Sequence, residues 1–204
     1  MTMQNPELPT PSASEWKRAH EALMSSFDSV RVYYGWIDAP FGKMFLARTH
    51  RGLCLASFRR SEDALVDDLE KHELLPEKAG SELDRERRQF DEYFKGKRKR
   101  FQLPVDIRWG TAFQRQVLEA ANEIRFGECE CYTNVAERIG RPKAQRAVGN
   151  ALGQNPVAIV IPCHRVVASG GGMGGYTGGL DVKRALMEIE GIDPADGVHE
   201  RREH

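Results

Sequence analysis

A run of five apolar residues, Val157-Ala158-Ile159-Val160-Ile161, stops abruptly at Pro162-Cys163-His164-Arg165. A segment with no polar side belongs inside the core, and its length suits a buried strand. Proline lacks the N–H that a ladder requires, so a core strand is expected to end there. A thiol, an imidazole and a guanidinium then follow one another at a rigid point of the fold. Thiolates are nucleophiles, and a neighbouring base or cation is what produces one at neutral pH. Neighbouring side chains on a regular strand point to opposite faces, so Cys163 and His164 can cooperate only if the chain has left the sheet. Seven glycines lie between Gly170 and Gly179, a stretch that lets a ligand approach the backbone closely. The alternative is a cysteine that serves as a small core hydrophobe.

The chain has 204 residues, enough for one large domain or two small ones. Its apolar content of 40% supports a core, and no apolar run approaches the ~18 residues of a membrane span. Met1 to Ser14 is polar and proline-containing, so no secretory signal is visible. Four cysteines without disulfide-like density suit a reducing cytosol. The formal net charge is zero, so bulk electrostatics do not announce a nucleic-acid partner. The distribution is more telling. From Arg138 to Leu180 there is no Asp or Glu, while Arg138, Arg141, Lys143, Arg146 and Arg165 fall within the stretch. This is either a basic face around the candidate cysteine or a set of cations balanced by acids folded in from elsewhere.

Residues 1–27 read as an appendage, with a helical pattern from Ser14 through Met24 that could pack on the main body. Alternation at Val30, Val32, Tyr34 and Trp36 predicts a strand. Two more are expected at Met44 to Ala47 and Leu53 to Ala56, with turns at Pro40-Phe41-Gly42 and Arg51-Gly52. Ser61 suits the cap of a helix running to about His72. Ser81-Glu82-Leu83-Asp84 predicts a capping box ahead of a helix with Leu83, Phe90 and Phe94 on its apolar face. Lys95 to Arg100 is a basic run that suits a solvated loop. Leu103-Pro104-Val105-Asp106 is extended and starts the link to the second half.

The second half opens with Thr111-Ala112-Phe113-Gln114, a capping box, and a helix whose inner face holds Phe113, Val117, Leu118, Ala121 and Ile124. Gly127 marks its stop. A short helix from Asn134 to Ile139 stops at Gly140. Pro142 suits the first turn of a second helix that runs to Leu152 and stops at Gly153. Helix, turn, helix is the outline of a DNA-reading motif, and also of many proteins that bind no DNA. Ala144, Ala147, Gly149 and Ala151 make the second helix thin, for a groove wall or for a packed neighbour. A last helix is expected from Asp181 to Glu190, before Gly191.

Several separated motifs then agree with one family. The chain resembles the methylated-DNA–protein-cysteine methyltransferases, suicide enzymes that repair O6-alkylguanine. The matching pieces are Pro162-Cys163-His164-Arg165-Val166, Gly127 with Tyr132, Arg146-Ala147-Val148-Gly149, Asn155-Pro156, Gly175-Tyr176-Thr177-Gly178-Gly179 and Glu190-Gly191. They occur in the family's order and spacing, densely from Trp109 to Ile192. A looser match that includes Phe94-Lys95-Gly96 and Phe101-Gln102-Leu103-Pro104 reaches back to about Val30. The resemblance implies an α+β fold. Residues 28–107 would form a ribonuclease-H-like domain of a small antiparallel sheet with helices. Residues 108–193 would form a winged-helix-like helix-turn-helix domain carrying the reactive cysteine, and 194–204 a flexible tail.

The resemblance also implies roles. Cys163 is the alkyl acceptor, His164 the base that deprotonates it through a water, and Glu190 the carboxylate that orients the histidine. Asn155 braces the turn that holds the cysteine. Tyr132 rotates the target phosphate and protonates the leaving guanine. Arg146 fills the space left in the stack by a flipped base. Thr133, Lys143, Ala144, Ala147, Gly149 and Asn150 complete the DNA face, with the second helix in the minor groove. Leu152, Val166, Met173, Tyr176 and Thr177 are expected to line the base pocket. A thioether product does not hydrolyse readily, so each molecule would act once, with no metal and no cofactor. The implied partner is double-stranded DNA carrying alkylated guanine, with no membrane. A monomer is expected, with cooperative assembly on DNA left open, in the cytoplasm (nucleoid-associated) or in a nucleus.

Cys129 and Cys131 depart from the family pattern. No further ligands with zinc-like spacing accompany them, and Cys54, His20, His50 and His72 give no reason to assemble a site. Two competing functions remain in view. One is a non-catalytic alkylguanine-binding protein that flags lesions for another pathway, which the presence of Cys163 argues against. The other is a cysteine hydrolase built on Cys163 and His164, which would require an oxyanion hole and turnover.

Overall fold

A computed structural model describes residues 12, 14–18, 31–58, 60–170 and 172–192. Three strands, β1 (Arg31–Ala39), β2 (Gly42–Thr49) and β3 (Gly52–Phe58), form an antiparallel meander. Both hairpin loops are two residues long, closing at Ala39–Gly42 and Thr49–Gly52. A short strand, β4 (Leu75–Lys78), adds parallel to β1, so the sheet order is β3-β2-β1-β4. This fourth strand escaped the sequence reading because Leu75-Pro76-Glu77-Lys78 has no apolar alternation and lies at an edge, where proline is tolerated.

The period-two pattern sends side chains to both faces of the sheet. Val32, Tyr34, Phe45 and Ala47 face helix α1 (Glu62–Glu70), which returns Leu65 and Leu69. Ser61 caps this helix, its side chain accepting from the Ala64 N–H. Met44, Leu46, Leu53 and Ala56 face the other way, toward Leu83, Phe90 and Tyr93 at helix α2 (Asp84–Phe94). The expected capping box at Ser81 does not form. Leu83 holds the N-cap position without a side-chain bond, and Ser81 contributes its backbone carbonyl to the Asp84 N–H instead.

The outer edge of β3 is closed by two segments from far along the chain. The Leu53 N–H donates to Pro104 O, and the Asp106 N–H donates to Leu53 O. Further on, the Ala56 N–H donates to Pro156 O and the Ala158 N–H to Ala56 O. Gly52, at φ +152°, permits the first approach, since a Cβ there would lie 2.3 Å from Pro104 O. One core cluster therefore runs from Met44 and Leu53 through Val117, Val148 and Cys163 to Leu186.

The second half holds helices α3 (Ala112–Asn122), α4 (Tyr132–Arg138), α5 (Gln145–Gly153) and α6 (Leu180–Glu190). Thr111 caps α3 by accepting from the Gln114 N–H, while the Gln114 amide reaches Gln154 O rather than back to the cap. The helix-turn-helix outline is observed as α4 and α5, with two shifts. The first helix begins at Tyr132, directly after a two-residue strand β5 (Glu130–Cys131) that pairs parallel with β6 (Val166–Val167). Pro142 lies in the turn, and α5 starts only at Gln145.

The expected core strand at Val157–Ile161 is corrected. Only isolated bridges form there, because the chain turns on itself, with the Ile161 N–H donating to Val157 O and Ile159 at φ +73°. A β-branched residue in that region is a genuine outlier. Burial is as expected, with Val157, Ile159 and Ile161 all inside, but it serves a turn and not a ladder. Near the N-terminus, residues 14–18 are helical, and Trp16 is 62% exposed rather than packed on the body. The expected continuation to Met24 and the tail after Ile192 lie outside the described residues.

Candidate active site

Immediately after the turn, Cys163–Arg165 form one turn of 3₁₀ helix. The chain has left the sheet, so consecutive side chains are no longer forced to opposite faces. Asn155 holds this geometry from the end of α5. Its Nδ2 donates to Ile161 O at 2.8 Å and to Cys163 Sγ at 3.1 Å, and its Oδ1 accepts from the Val157 N–H at 3.0 Å. One amide thereby ties both ends of the turn to the sulfur.

The thiol is not a ready thiolate. Burial pushes the Cys163 thiol up from its ordinary value, against the opposing pull of the Asn155 amide and the Lys183 charge. The guanidinium expected beside it points elsewhere. Arg165 donates through Nε to Glu190 Oε2 at 2.7 Å and through Nη2 to Oε1 at 2.9 Å, and its Nη1 bonds Ile124 O at 2.6 Å. Arg165 neutralises a buried carboxylate, a role its sequence position did not reveal.

Glu190 is the hub of the buried network. Besides Arg165, it meets His164 Nε2 at 2.9 Å and the Tyr93 hydroxyl at 2.5 Å through Oε1, and the Gly127 N–H at 3.5 Å through Oε2. Burial alone would raise its carboxyl, but the hydrogen bonds and charges of His164 and Arg165 prevail and hold it at about 2. An acid at a helix C-terminus is otherwise poorly placed, and these donors account for it. His164 is fully buried, and that burial lowers its pKa despite Glu190. A neutral imidazole can accept a proton, and its second nitrogen, Nδ1, is buried without a hydrogen-bond partner.

The sulfur opens on a cavity of about 360 Å³ lined by Tyr132, Gly149, Leu152, Gly153, Cys163, Gly175, Tyr176 and Thr177. That volume lies at the low end of the range for small-molecule sites, roughly 300–1,000 Å³. Two expected lining residues are elsewhere. Val166 is fully buried in β6, and Met173 packs beside Val167, Met187 and Ile192. Their carbonyls both accept from the buried Lys183 ammonium, which ties the glycine-rich loop to β6. The amine is drawn down to about 8 by burial. Gly174, at φ +65°, lets the loop pass over Tyr132, where a Cβ would lie 2.7 Å from the hydroxyl. The Gly175 N–H bonds that hydroxyl.

Residues 32–107 match the family model described as 6-O-methylguanine DNA methyltransferase, ribonuclease-like domain, and residues 112–192 match its DNA binding domain. The methylated-DNA–protein-cysteine methyltransferase of Methanosarcina acetivorans is 38% identical over 163 residues, spanning 78% of this chain and 99% of that one. The chain belongs to the methylated-DNA–protein-cysteine methyltransferase family. The Haemophilus influenzae member is 34% identical over 166 residues, covering 81% of this chain and 89% of its own. A crystal structure of Mycobacterium tuberculosis OGT in complex with DNA superposes with a TM-score of 0.68 at 36% identity, covering 78% and 92% of the two chains.

In this family member, the residues expected to face DNA sort by exposure. Lys143, Arg146, Ala147 and Asn150 are exposed along the turn and the outer face of α5. Ala144 is half-buried, and Gly149 lies against the Tyr132 ring, where a Cβ would be 3.6 Å away. The thin helix thus serves both readings, an open face at Ala147 and close packing at Gly149. Thr133 pairs its hydroxyl with Ser169. Of the five cations in the acid-free stretch, Arg165 pairs with Glu190, and Arg138 pairs with Glu123 and Glu130. Arg141 lies over Phe113, while Lys143 and Arg146 stay on the open surface. Cys131 is buried, its thiol donating to Asn134 Oδ1 at 3.0 Å, and no cluster suited to a metal occurs among the described residues.

Tyr93 was missed at the level of sequence. Its signal was present, since a tyrosine among core aromatics must find a partner for its hydroxyl.

Proposed function

We propose that this protein repairs DNA by moving the alkyl group of O6-alkylguanine onto its own Cys163, once per molecule. One observation carries the reading: Cys163 lines a half-open cavity while its own turn is held by Asn155 and flanked by the His164–Glu190 pair. The cavity walls of Tyr132, Leu152, Tyr176 and Thr177 suit a flat, flipped base.

In the proposed step, the Cys163 proton passes through a water to His164 Nδ1, and Glu190 stabilises the imidazolium through Nε2. The thiolate displaces guanine at the alkyl carbon. A C–S bond forms, the C–O6 bond breaks with its electron pair left on guanine, and Tyr132 supplies the proton that neutralises the base. The Tyr132 phenol is kept protonated by its burial. The thioether has no hydrolytic exit, so the acceptor is consumed. Arg146, exposed on the first turn of α5, has the reach and planar head to stand in for the flipped base.

Intact-protein mass after incubation with a duplex containing O6-methylguanine tests this. One added methyl, mapped to Cys163 and absent from Cys163→Ala, is expected. Lesion-selective binding without a mass change would refute alkyl transfer and favour a non-catalytic lesion binder.

A further inference from the structure

Among the described residues, every group of the relay comes from the second half of the chain except one. Tyr93 lies on α2, in the first half, and its hydroxyl donates to Glu190 Oε1 at 2.5 Å. That oxygen is the one that His164 Nε2 also reaches. We infer that Tyr93 is a positioning residue of the relay, whose hydrogen bond to Glu190 sets how tightly His164 holds a proton.

The argument starts from the acceptor. A carboxylate oxygen has a limited share of charge to give, and each donor draws on it. Oε1 serves Tyr93, Arg165 and His164 together. Removing one donor leaves more of the negative charge for the imidazolium, so His164 would hold its proton more tightly. A base that must be neutral to act is then lost at a higher pH.

Tyr93 is built for a fixed role. It is fully buried, and its ring packs against Phe94, Phe101 and Phe126 at centroid distances of 5.7, 5.3 and 6.2 Å. Burial and the adjacent Glu190 charge hold its hydroxyl well above the ordinary phenol range, so it remains a donor throughout the working pH range. The charged and titratable groups around the pair are few. Glu190, Arg165 and Lys183 act on His164, and Glu190, Arg165 and Tyr176 act on Tyr93. Among the described residues, none but Tyr93 reaches the relay from the first half. The arrangement makes the proton acceptor sensitive to how the two halves are docked.

For its kinetic consequence, this inference rests on the alkyl-transfer reading. Tyr93→Phe keeps the ring and deletes the donor. Phe90→Leu, three residues earlier on the same helix and with its ring contacts to Phe94 and Phe101, is the packing control. The His164 ring titration is followed by NMR in full-length protein, beside the pH profile of the single-turnover rate. Tyr93→Phe is expected to raise the His164 midpoint, and the acid limb of the rate, by about half to one pH unit. Phe90→Leu is expected to lower stability and move neither. A His164 midpoint in Tyr93→Phe equal to the wild-type value overturns the inference, whatever happens to stability. So does an unmoved acid limb while the wild type transfers normally. If the wild type transfers nothing, the functional reading falls and the ring titration still decides the role of Tyr93.

Discussion

Replacing Glu190 by Gln removes one charge from the centre of the molecule and changes little else in shape. The carboxyl is held at about 2 in the folded protein, against 4.5 for an unperturbed glutamate. At 1.36 kcal/mol per pH unit, that difference contributes about 3 kcal/mol to stability at neutral pH. The pKa is depressed, so the contribution is complete above 4.5 and is lost as pH falls from there toward 2. At pH 3, about 2 kcal/mol of it should already be gone. Glu190→Gln also strands the buried Arg165 guanidinium, and breaking such a pair costs about 3–5 kcal/mol. Urea unfolding of wild type and Glu190→Gln at several pH values is the assay. The stability gap should be about 3–5 kcal/mol at pH 7 and shrink by about 2 kcal/mol at pH 3. Other carboxylates titrate in both proteins and cancel in the difference, and carrying both on a His164→Gln background removes the imidazole titration that is coupled to Glu190. A gap that is the same at pH 3 and pH 7 would refute the claim that Glu190 is charged and paired in the core.

Other outcomes follow from single contacts. Asn155→Ala deletes the donor on Cys163 Sγ, which should raise the thiol pKa by about 1–2 pH units in an absorbance titration referenced to Cys163→Ala. Gly174→Ala pushes a methyl into the Tyr132 hydroxyl at a positive φ; it should slow transfer roughly 10–100-fold in quenched-flow assays and destabilise by about 1–3 kcal/mol in urea titrations. Gly52→Ala drives a Cβ into Pro104 O at a positive φ and should destabilise by about 2–5 kcal/mol in urea titrations. A neutral effect there would mean that the β3 edge tolerates separation from the linker.

The legible parts of this fold are those where one physical rule acted alone. Thr111 and Ser61 cap their helices because a hydroxyl before an amphipathic run has a free N–H within reach. The β1–β2–β3 meander followed from alternation and two tight turns. The misses occur where tertiary contacts override local preference. Val157–Ile161 has the composition of a core strand, yet Asn155 and the β3 edge bend it into a turn with Ile159 in the left-handed region. Pro142 suits a helix start but lies in the preceding turn. At the site, the resemblance supplied the residues Cys163, His164, Glu190 and Asn155, and the geometry brings them together. Arg165 was read as a cation for the thiol, since sequence adjacency says nothing of direction, and Tyr93 stands 97 positions away from its partner.

The sealing of β3 has a consequence for how the protein is made. Its outer edge is completed first by residues 104–106 and then by residues 156–158, about 100 positions after Ala56. Translation proceeds at roughly 5–20 residues per second, so the growing chain carries a partly bare strand edge for some 5–20 s. Such an edge is a template for pairing with other chains. The nucleophile's turn is the cover that arrives last, so the protein cannot finish its N-terminal sheet without also assembling the segment that leads into Cys163. Nascent chains truncated before residue 156 therefore carry an uncovered stretch of β3 that is open to edge-to-edge association.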